Sequence, residues 1–229
     1  MGLKEFYKSV VKIYSQSIDI DWQFPFKFSD AAETSGSGFF IHKKGYLLTC
    51  SHVVQSAKKI FIEVQDEGNQ KYEVKVVGFC PDMDIALLKT VSYKPKSILK
   101  LGHSNKVNVG DTISAVGFPL GLDNLKITSG VLSGRQSGKL QMDVPISGGN
   151  SGGPLVYKNK VIGICASSLV GLKAQNINFA IPIELFHIIK DQLLNIKYVR
   201  SSYLGIIYNY STCDLLSLVT NTIDKCKSG

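Results

Sequence analysis

A single serine, Ser151, lies between two glycine pairs in the segment ISGGNSGGPLV. Glycine permits backbone torsions that are closed to other residues, so neighbouring amide N–H groups can converge beside the serine hydroxyl. A serine attacks a carbonyl carbon efficiently only when a base removes its proton and such donors stabilise the developing negative charge. The segment therefore predicts a nucleophile, Ser151, with an oxyanion hole formed by the backbone N–H groups of Gly149, Asn150 and Ser151.

This glycine-rich segment allows two other interpretations. A short Gly-x-Ser-Gly sequence standing alone is most simply a tight turn. A phosphate-binding loop would need a Lys-Ser or Lys-Thr pair followed by a helix. The segment has neither and continues into the apolar run PLVY, which favours the nucleophile over the phosphate loop.

A base and an orienting acid are predicted from two further motifs. His52 lies in LLTCSHVV, directly after a predicted strand, and histidine is the side chain best suited to exchange protons near neutral pH. Asp84 lies in PDMDIALLK, at the start of an apolar strand, where a carboxylate needs a hydrogen-bond donor such as a histidine N–H. Asp82 is kept as the alternative acid.

The elements that would position these residues are mostly short strands. Short apolar runs separated by turn residues predict a barrel or sandwich with antiparallel pairing. The predicted strands are 39–41, 46–50, 59–65, 71–77, 84–90, 111–118, 126–133, 139–144, 154–157 and 161–166. Helical spacing of apolar residues after Pro182 predicts one helix over 182–196, and residues 3–11 form a second, shorter candidate.

His52, Asp84 and Ser151 follow one another at separations of 32 and 67 residues, in the chain order of chymotrypsin-like double barrels. With this order the sequence resembles the HtrA/Deg serine proteases of the trypsin-like clan, nearest to the plant and intracellular Deg-like branch. The matching motifs are GSGFFI, LLTCSHVV, DIALLK, VGFPLG, TSGVLSG, GNSGGPLV, VIGI and NINFAIP, which run from about residue 34 to residue 182.

The resemblance implies an all-β, chymotrypsin-like fold of two six-stranded barrels with the active site in the cleft between them. The protease domain is expected over 34–198, with barrels at 34–105 and 106–182 and the helix at 182–196. Residues 1–33 would form an N-terminal segment and 199–229 a C-terminal tail. Tyr203 lies in RSSYLGI, which resembles the entry to a PDZ domain, but the remaining tail is too short for one. We expect a chain whose PDZ domain is absent or truncated.

The resemblance also implies where a primary specificity pocket lies. Its walls would come from the loop before the serine and the strand after it, namely Pro145, Ile146, Cys165, Ala166 and Ser167, with the segment continuing to Gly171. A pocket for lysine or arginine would need a buried carboxylate. Asp143 lies too far upstream to supply it. The sequence therefore predicts cleavage after small or medium aliphatic residues.

Composition argues against two classes of partner. The formal net charge is +8, but it comes almost entirely from dispersed lysines, because Arg135 and Arg200 are the only arginines. Nucleic-acid binding is therefore not expected. The sequence also lacks an uninterrupted apolar stretch long enough to cross a bilayer, so no membrane span is expected. The chemistry described above requires no metal ion and no cofactor.

The cysteines and the N-terminal residues suggest a compartment. Five cysteines form neither a tight disulfide framework nor a metal-binding spacing. The N-terminal residues carry lysines among the apolar positions and lack a signal-peptide core. These features predict reduced thiols and an intracellular, reducing compartment, with the cytoplasm favoured. Cys50, two residues before His52 in the same motif, is expected to be a packing residue and not the nucleophile.

The N-terminal segment is rich in aromatic residues, namely Phe6, Tyr7, Tyr14, Trp22, Phe24, Phe26 and Phe28. They could cover the first barrel. In the family that the chain resembles, such segments hold trimers together, and a homotrimer is favoured over a monomer.

Three functions remain open from the sequence. The first is a serine endopeptidase that cleaves unfolded or exposed polypeptide segments. The second is a proteolytically weak chaperone, or holdase, of the same fold. The third is a processing protease dedicated to one polyprotein.

Overall fold

The computed structural model describes residues 3–17, 32–68, 70–168 and 177–200. The helices are α1 (Leu3–Ser9), α2 (Ser51–Val54) and α3 (Ile183–Asn195). The strands are β1 (Val10–Ser17), β2 (Ala32–His42), β3 (Tyr46–Thr49), β4 (Lys59–Val64), β5 (Lys71–Cys80), β6 (Ile85–Thr90), β7 (Thr112–Gly117), β8 (Lys126–Gln136), β9 (Lys139–Met142), β10 (Pro154–Tyr157), β11 (Lys160–Ser168) and β12 (Asn178–Pro182).

These strands form two closed antiparallel barrels of six strands each. The first has the order β1-β2-β3-β6-β5-β4, and the second has the order β10-β11-β12-β9-β8-β7. Each barrel is filled by aliphatic and aromatic side chains, such as Phe39, Leu48 and Leu88 in the first and Leu132, Leu140 and Leu155 in the second. The expected all-β double-barrel fold is confirmed.

The first barrel begins earlier in the chain than the sequence motifs indicate. β1 lies inside the segment assigned to 1–33, where the sequence predicted a helix up to residue 11. That helix ends at Ser9, and Val10 starts a strand that pairs with both β2 and β4. Val10, Val11 and Ile13 are fully buried. Closing the first barrel requires this sixth strand, and that requirement cannot be read from local periodicity.

The other predicted strands occur within a few residues of their expected positions. β10 has the predicted bounds, while β2 and β8 are longer than predicted. One further strand, β12, lies within the motif NINFAIP, where the sequence did not predict a strand. It ends at Pro182, which lacks the N–H needed to continue the sheet and becomes the residue before α3.

Helix α3 covers the outside of the first barrel. Its buried residues Ile183, Phe186, Ile189 and Leu193 recur at helical spacing and join the first barrel's core. Packing is close enough that a side chain on Gly78 of β5 would meet the Leu193 carbonyl oxygen at 2.3 Å. Among the described residues, no helix is both long and apolar enough to cross a bilayer.

The described aromatic residues of the N-terminal segment pack on the first barrel. Phe6 is buried, and Tyr7 is partly buried against the same core. The Tyr14 hydroxyl donates a 2.8 Å hydrogen bond to Glu63. These three residues therefore cover the barrel of their own chain. The other four, Trp22, Phe24, Phe26 and Phe28, lie outside the described residues, as does the tail beyond Arg200, and the homotrimer stays a prediction.

Candidate active site

His52 and Asp84 form a hydrogen-bonded pair at the surface of the first barrel. The Nδ1 atom of His52 lies 2.8 Å and 3.0 Å from the two carboxylate oxygens of Asp84. The backbone N–H of His52 also donates to the carboxylate, at 3.0 Å. An ionised carboxylate can only accept, so the proton of a neutral His52 ring lies on Nδ1 and Nε2 keeps its lone pair.

The backbone at Asp84 explains how the carboxylate reaches the ring. Asp84 has φ = +54°, in the left-handed region, where aspartate is better tolerated than most residues. Its N–H donates to the Pro81 carbonyl, and its own carbonyl accepts from Ser51 N–H at the start of α2. This turn brings the side chain of Asp84 to His52 on α2. The geometry favours Asp84 over Asp82 as the acid.

The segments that carry His52 and Ser151 converge on one backbone carbonyl, that of Cys165 in β11. It accepts a 2.7 Å hydrogen bond from the Gly152 N–H and a 3.3 Å hydrogen bond from the Cys50 thiol. Gly152 directly follows Ser151, and Cys50 precedes α2. The two barrels therefore bring the candidate nucleophile and the candidate base to the same cleft.

The hydroxyl of Ser151 is hydrogen-bonded away from the histidine. It donates to the Ala166 carbonyl oxygen at 2.9 Å. The described residues include no hydrogen bond between Ser151 and His52. Serine occupies staggered rotamers about its Cα–Cβ bond, so another rotamer is required for the hydroxyl to meet Nε2 of His52.

The backbone around Ser151 leaves two N–H groups available as donors. The Gly148 carbonyl is held by the Leu120 N–H at 2.5 Å, and the Asn150 carbonyl by the Gly153 N–H at 3.0 Å. In a trans peptide the N–H points away from the carbonyl, so the N–H groups of Gly149 and Ser151 point away from these partners. Neither has an acceptor among the described residues.

The amide of Asn150 does not belong to this pair, although the sequence placed it there. Its N–H donates to the Ser147 carbonyl at 3.1 Å and closes the turn 147–150. A turn of this kind with its third residue at positive φ directs alternate amides to opposite sides. The candidate oxyanion hole therefore consists of the N–H groups of Gly149 and Ser151 only.

Two glycines of the segment are required by both conformation and space. Gly149 has φ = +93° and Gly152 has φ = +86°. A Cβ atom on Gly149 would lie 2.3 Å from the Phe118 carbonyl oxygen, and one on Gly152 would lie 2.2 Å from the Ser37 carbonyl oxygen. Any side chain at either position would displace the backbone next to Ser151.

Ser37 of β2 is a site residue that the sequence analysis did not identify. Its hydroxyl donates a 2.6 Å hydrogen bond to the Gly149 carbonyl and accepts one of 3.0 Å from the Phe118 N–H. Its own backbone N–H donates to the Ser151 carbonyl at 2.8 Å. Ser37 is fully buried. It fixes the serine loop of the second barrel to the first barrel, and its place in GSGFFI was the only signal in the sequence.

The residues expected to form a specificity pocket are only partly brought together. Pro145 is exposed, Ile146 is partly buried against the second barrel's core, and the Ala166 carbonyl lies beside Ser151. Cys165 does not belong in the wall, because its side chain is fully buried in the second barrel's core. Residues 169–171 and the side chain of Ser167 lie outside the described part. The aliphatic specificity stays a prediction.

Asp143 is engaged elsewhere. Its carboxylate accepts a 2.6 Å hydrogen bond from the Val131 N–H. This bond joins the end of β9 to β8, and that Asp143 does not reach the base of a specificity pocket stays a prediction.

Cys50, His52 and Asp84 place three potential metal-ligand atoms within 4.8 Å of one another. Burial, followed by the charge of Asp84, raises the pKa of the Cys50 thiol well above its usual value. The neutral thiol donates to the Cys165 carbonyl, and the carboxylate is occupied by His52. The group is therefore satisfied by hydrogen bonds, and a thiol in this state is a poor metal ligand and a poor nucleophile. That the protein needs no metal or cofactor stays a prediction.

Comparison with known proteins identifies the family. Residues 36–164 match the family model described as trypsin-like peptidase domain. A relative from Pseudomonas putida (strain GB-1), named "Probable periplasmic serine endoprotease DegP-like", is 37% identical over 194 residues, which cover 80% of this chain and 40% of that protein. A relative of the same name from Chlamydia trachomatis is 36% identical over 182 residues, covering 75% of this chain and 36% of that protein. The chain thus spans about 40% of the length of the P. putida relative.

The names of these relatives contradict the expected location. They are called periplasmic, whereas the cysteines and N-terminal residues predicted a reducing, cytoplasmic compartment. That prediction was wrong. Cys50, Cys80 and Cys165 are free and buried, and a thiol enclosed in a core can remain unpaired in an oxidising compartment. The number and spacing of the cysteines therefore do not indicate the compartment.

Solved structures agree with the family match. The serine endoprotease from Yersinia pestis has a TM-score of 0.72 at 29% identity, covering 90% of this chain and 70% of that chain. The HtrA-type protease AlgW, solved with a tripeptide, has a TM-score of 0.70 at 28% identity, covering 84% of this chain and 62% of that chain. The protein therefore belongs to the trypsin-like peptidase family, as an HtrA/Deg-like member with the trypsin fold.

Proposed function

We propose that the protein is a periplasmic serine endopeptidase that cleaves unfolded or exposed polypeptide segments. The observation that carries the proposal is the hydrogen-bonded pair of His52 and Asp84 in the cleft that also holds Ser151. The DegP-like relatives are named as periplasmic serine endoproteases, and the HtrA-type neighbour was solved with a tripeptide, which supports a polypeptide substrate.

In the proposed mechanism, His52 acts first as a base. The Ser151 hydroxyl rotates from the Ala166 carbonyl towards Nε2, gives up its proton and attacks the carbonyl carbon of the substrate. Asp84 holds the Nδ1 proton and stabilises the imidazolium that forms. His52 then donates the proton to the leaving amine, and water hydrolyses the acyl-enzyme by the same steps in reverse order.

The N–H groups of Gly149 and Ser151 would stabilise the tetrahedral intermediate. Both are oriented by hydrogen bonds of neighbouring peptide groups before any substrate binds. Preorganised donors lower the barrier because they need not reorient when charge develops on the oxygen. The fixed loop therefore supports an active enzyme over the alternative of a holdase with a collapsed oxyanion hole.

The residues beside Ser151 bear on the choice of substrate. We propose cleavage after small or medium aliphatic residues, because Ile146 presents an apolar side chain in the loop before Ser151, the Ala166 carbonyl lies beside Ser151 and the Asp143 carboxylate is bonded to Val131. A dedicated processing protease would share this chemistry and differ in cleaving one sequence only. Profiling with a peptide library separates the two, since a broad aliphatic profile fits general proteolysis.

The decisive experiment compares the wild type with Ser151→Ala. Labelling of the full chain by a fluorophosphonate, followed by peptide mapping, should modify Ser151 in the wild type alone. Hydrolysis of unfolded casein should fall by about a million-fold in the variant, while its circular dichroism and melting temperature stay the same. Casein hydrolysis at the wild-type rate by the variant would refute the proposal, and an unlabelled, inactive wild type would favour the holdase.

A further inference from the structure

A second concavity lies on the first barrel, between helix α3 and the β2–β3 hairpin. Its volume is about 330 Å³, which is within the range of pockets that hold small ligands. Its floor and walls are largely apolar and consist of Ile41, Tyr46, Leu87, Leu101, Phe186 and Leu194. None of these residues belongs to the candidate active site. The pocket therefore offers an apolar surface that is separate from the residues of the candidate active site.

The rim of this pocket is cationic on both sides. Lys44 and His42 extend from the hairpin, and Lys190 and His187 from α3, and all four side chains are exposed. No acidic side chain of the described residues lines the pocket. Charge complementarity therefore favours a ligand with an anionic end and an apolar body.

The polar groups at the rim offer donors. An ammonium group can only donate, and the Nδ1 atom of His42 accepts a 3.1 Å hydrogen bond from the Lys44 N–H, which leaves Nε2–H to face a ligand in the neutral ring. A carboxylate accepts from several donors at once and suits such a rim.

The fold disfavours an extended peptide as the occupant. A bound peptide strand needs a free sheet edge to pair its own N–H and C=O groups. Both sheets of the described chain are closed barrels, so the strands beside the pocket are already paired on each side. An alkyl chain has no backbone groups to satisfy and avoids this cost.

We propose that this pocket binds a medium-chain alkyl carboxylate, such as decanoate. The alkyl chain packs against the walls between α3 and β2, and the carboxylate lies between Lys44 and Lys190. Binding strengthens with chain length while the chain remains inside the pocket, by about fourfold for each methylene group that is buried.

The first test is a calorimetric titration of the full chain with ligands that differ in head group. Decanoate, decanol and decyltrimethylammonium are compared below the concentrations at which they form micelles, with octanoate as the shorter acid. We expect decanoate to bind most tightly, octanoate more weakly and the cationic amphiphile most weakly. Equal affinity for the anionic and cationic amphiphiles, or no binding of decanoate, overturns the proposal.

The second test uses two variants of one exposed wall residue. Leu194 is 42% exposed, so both Leu194→Glu and Leu194→Lys should fold. The glutamate should weaken decanoate binding and the lysine should preserve it, because the two changes remove the same apolar surface and differ in charge. Identical affinities of the two variants would show that the carboxylate does not meet the cationic rim.

The third test locates the charge partners. Lys44→Ser and Lys190→Ser should each weaken decanoate binding by about threefold to fivefold, as expected for exposed ion pairs. Lys139→Ser is the matched control, because Lys139 also lies beside a hairpin turn but on the second barrel. An equal loss in the control would place the ligand elsewhere.

A competition experiment tests for a protein partner. An acidic, amidated peptide that competes with decanoate and binds more tightly would assign the pocket to a protein partner and overturn the proposal.

Discussion

The hydroxyl of Ser37 donates a 2.6 Å hydrogen bond to the carbonyl oxygen of Gly149. The two residues belong to different barrels and are separated by 112 positions in the chain. Because a peptide group is planar, fixing the Gly149 carbonyl also fixes the plane that leads into Asn150 and Ser151. The first barrel thus takes part in shaping the donor loop of the second barrel.

Replacing Ser37 by alanine should lower kcat by about tenfold to a hundredfold with little change in KM. The reason is that the Gly149–Asn150 peptide, which links the two peptides that carry the donor N–H groups, is then held less firmly, and a whole oxyanion donor is worth about a hundredfold to a thousandfold. Steady-state kinetics on a chromogenic peptide measures this effect. Affinity for a peptide boronic acid, whose tetrahedral adduct uses the same donors, should fall in parallel.

The control for that change is Ser104→Ala. Ser104 is also buried and donates a 2.6 Å hydrogen bond, but its partner is Glu184 of α3. Both variants should lose stability, by about 1 to 3 kcal/mol. Only Ser37→Ala should lose turnover. If the two variants have equal kcat, Ser37 supports the fold alone.

Gly149→Ala should abolish most activity, whereas Gly148→Ala should be tolerated. The first change puts a Cβ atom 2.3 Å from the Phe118 carbonyl at a residue with φ = +93°. The second meets no other atom within 4 Å. We expect kcat/KM to fall by about a hundredfold or more in the first variant. Equal kcat/KM values for these neighbouring alanines would argue against an oxyanion hole at Gly149.

The candidate catalytic residues were accessible from the sequence because each is marked by its immediate neighbours. Ser151 is surrounded by glycines, His52 follows a buried strand, and Asp84 precedes one. Most strands could also be predicted, since short apolar runs bounded by turn residues are typical of barrel strands. The number and spacing of these strands left a barrel or a sandwich open, and the resemblance to the HtrA/Deg proteases implied two closed barrels.

Features that depend on contacts between residues far apart in the chain could not be predicted from the sequence. The strand β1 contains Lys12, which is buried yet bonded to Asp123, a residue 111 positions away. Locally, a lysine between valines and isoleucine does not indicate a buried barrel strand. The role of Ser37 depends on partners 81 and 112 positions away. The burial of Cys165 likewise depends on which face of β11 the barrel encloses.

Asp84→Asn should lower kcat by about ten-thousandfold, as expected when the partner of a catalytic histidine no longer fixes its tautomer. An asparagine amide can donate to Nδ1 and would leave the proton on Nε2, where it blocks acceptance from Ser151. Asp82→Asn is the matched control and should retain nearly full turnover. Kinetics of both variants on one peptide decides which acid orients His52, and a larger loss in the Asp82 variant would reverse the assignment.

Glu184→Gln should reduce stability at neutral pH but not at low pH. Partial burial favours the protonated form of Glu184, but hydrogen bonds from the Ser104 hydroxyl and N–H, both at 2.6 Å, outweigh it and lower the pKa below its usual 4.5. A lowered pKa in the folded state means stabilisation that is complete above about 4.5 and disappears as the pH falls through the folded-state value. Urea unfolding should show a free energy of unfolding that is lower by about 1 kcal/mol at pH 7, and this difference should vanish near pH 3.

The control is Glu73→Gln, an exposed position on β5, which should change the free energy of unfolding little at either pH. A loss that persists unchanged at low pH would mean that the charge of Glu184 does not stabilise the contact with Ser104.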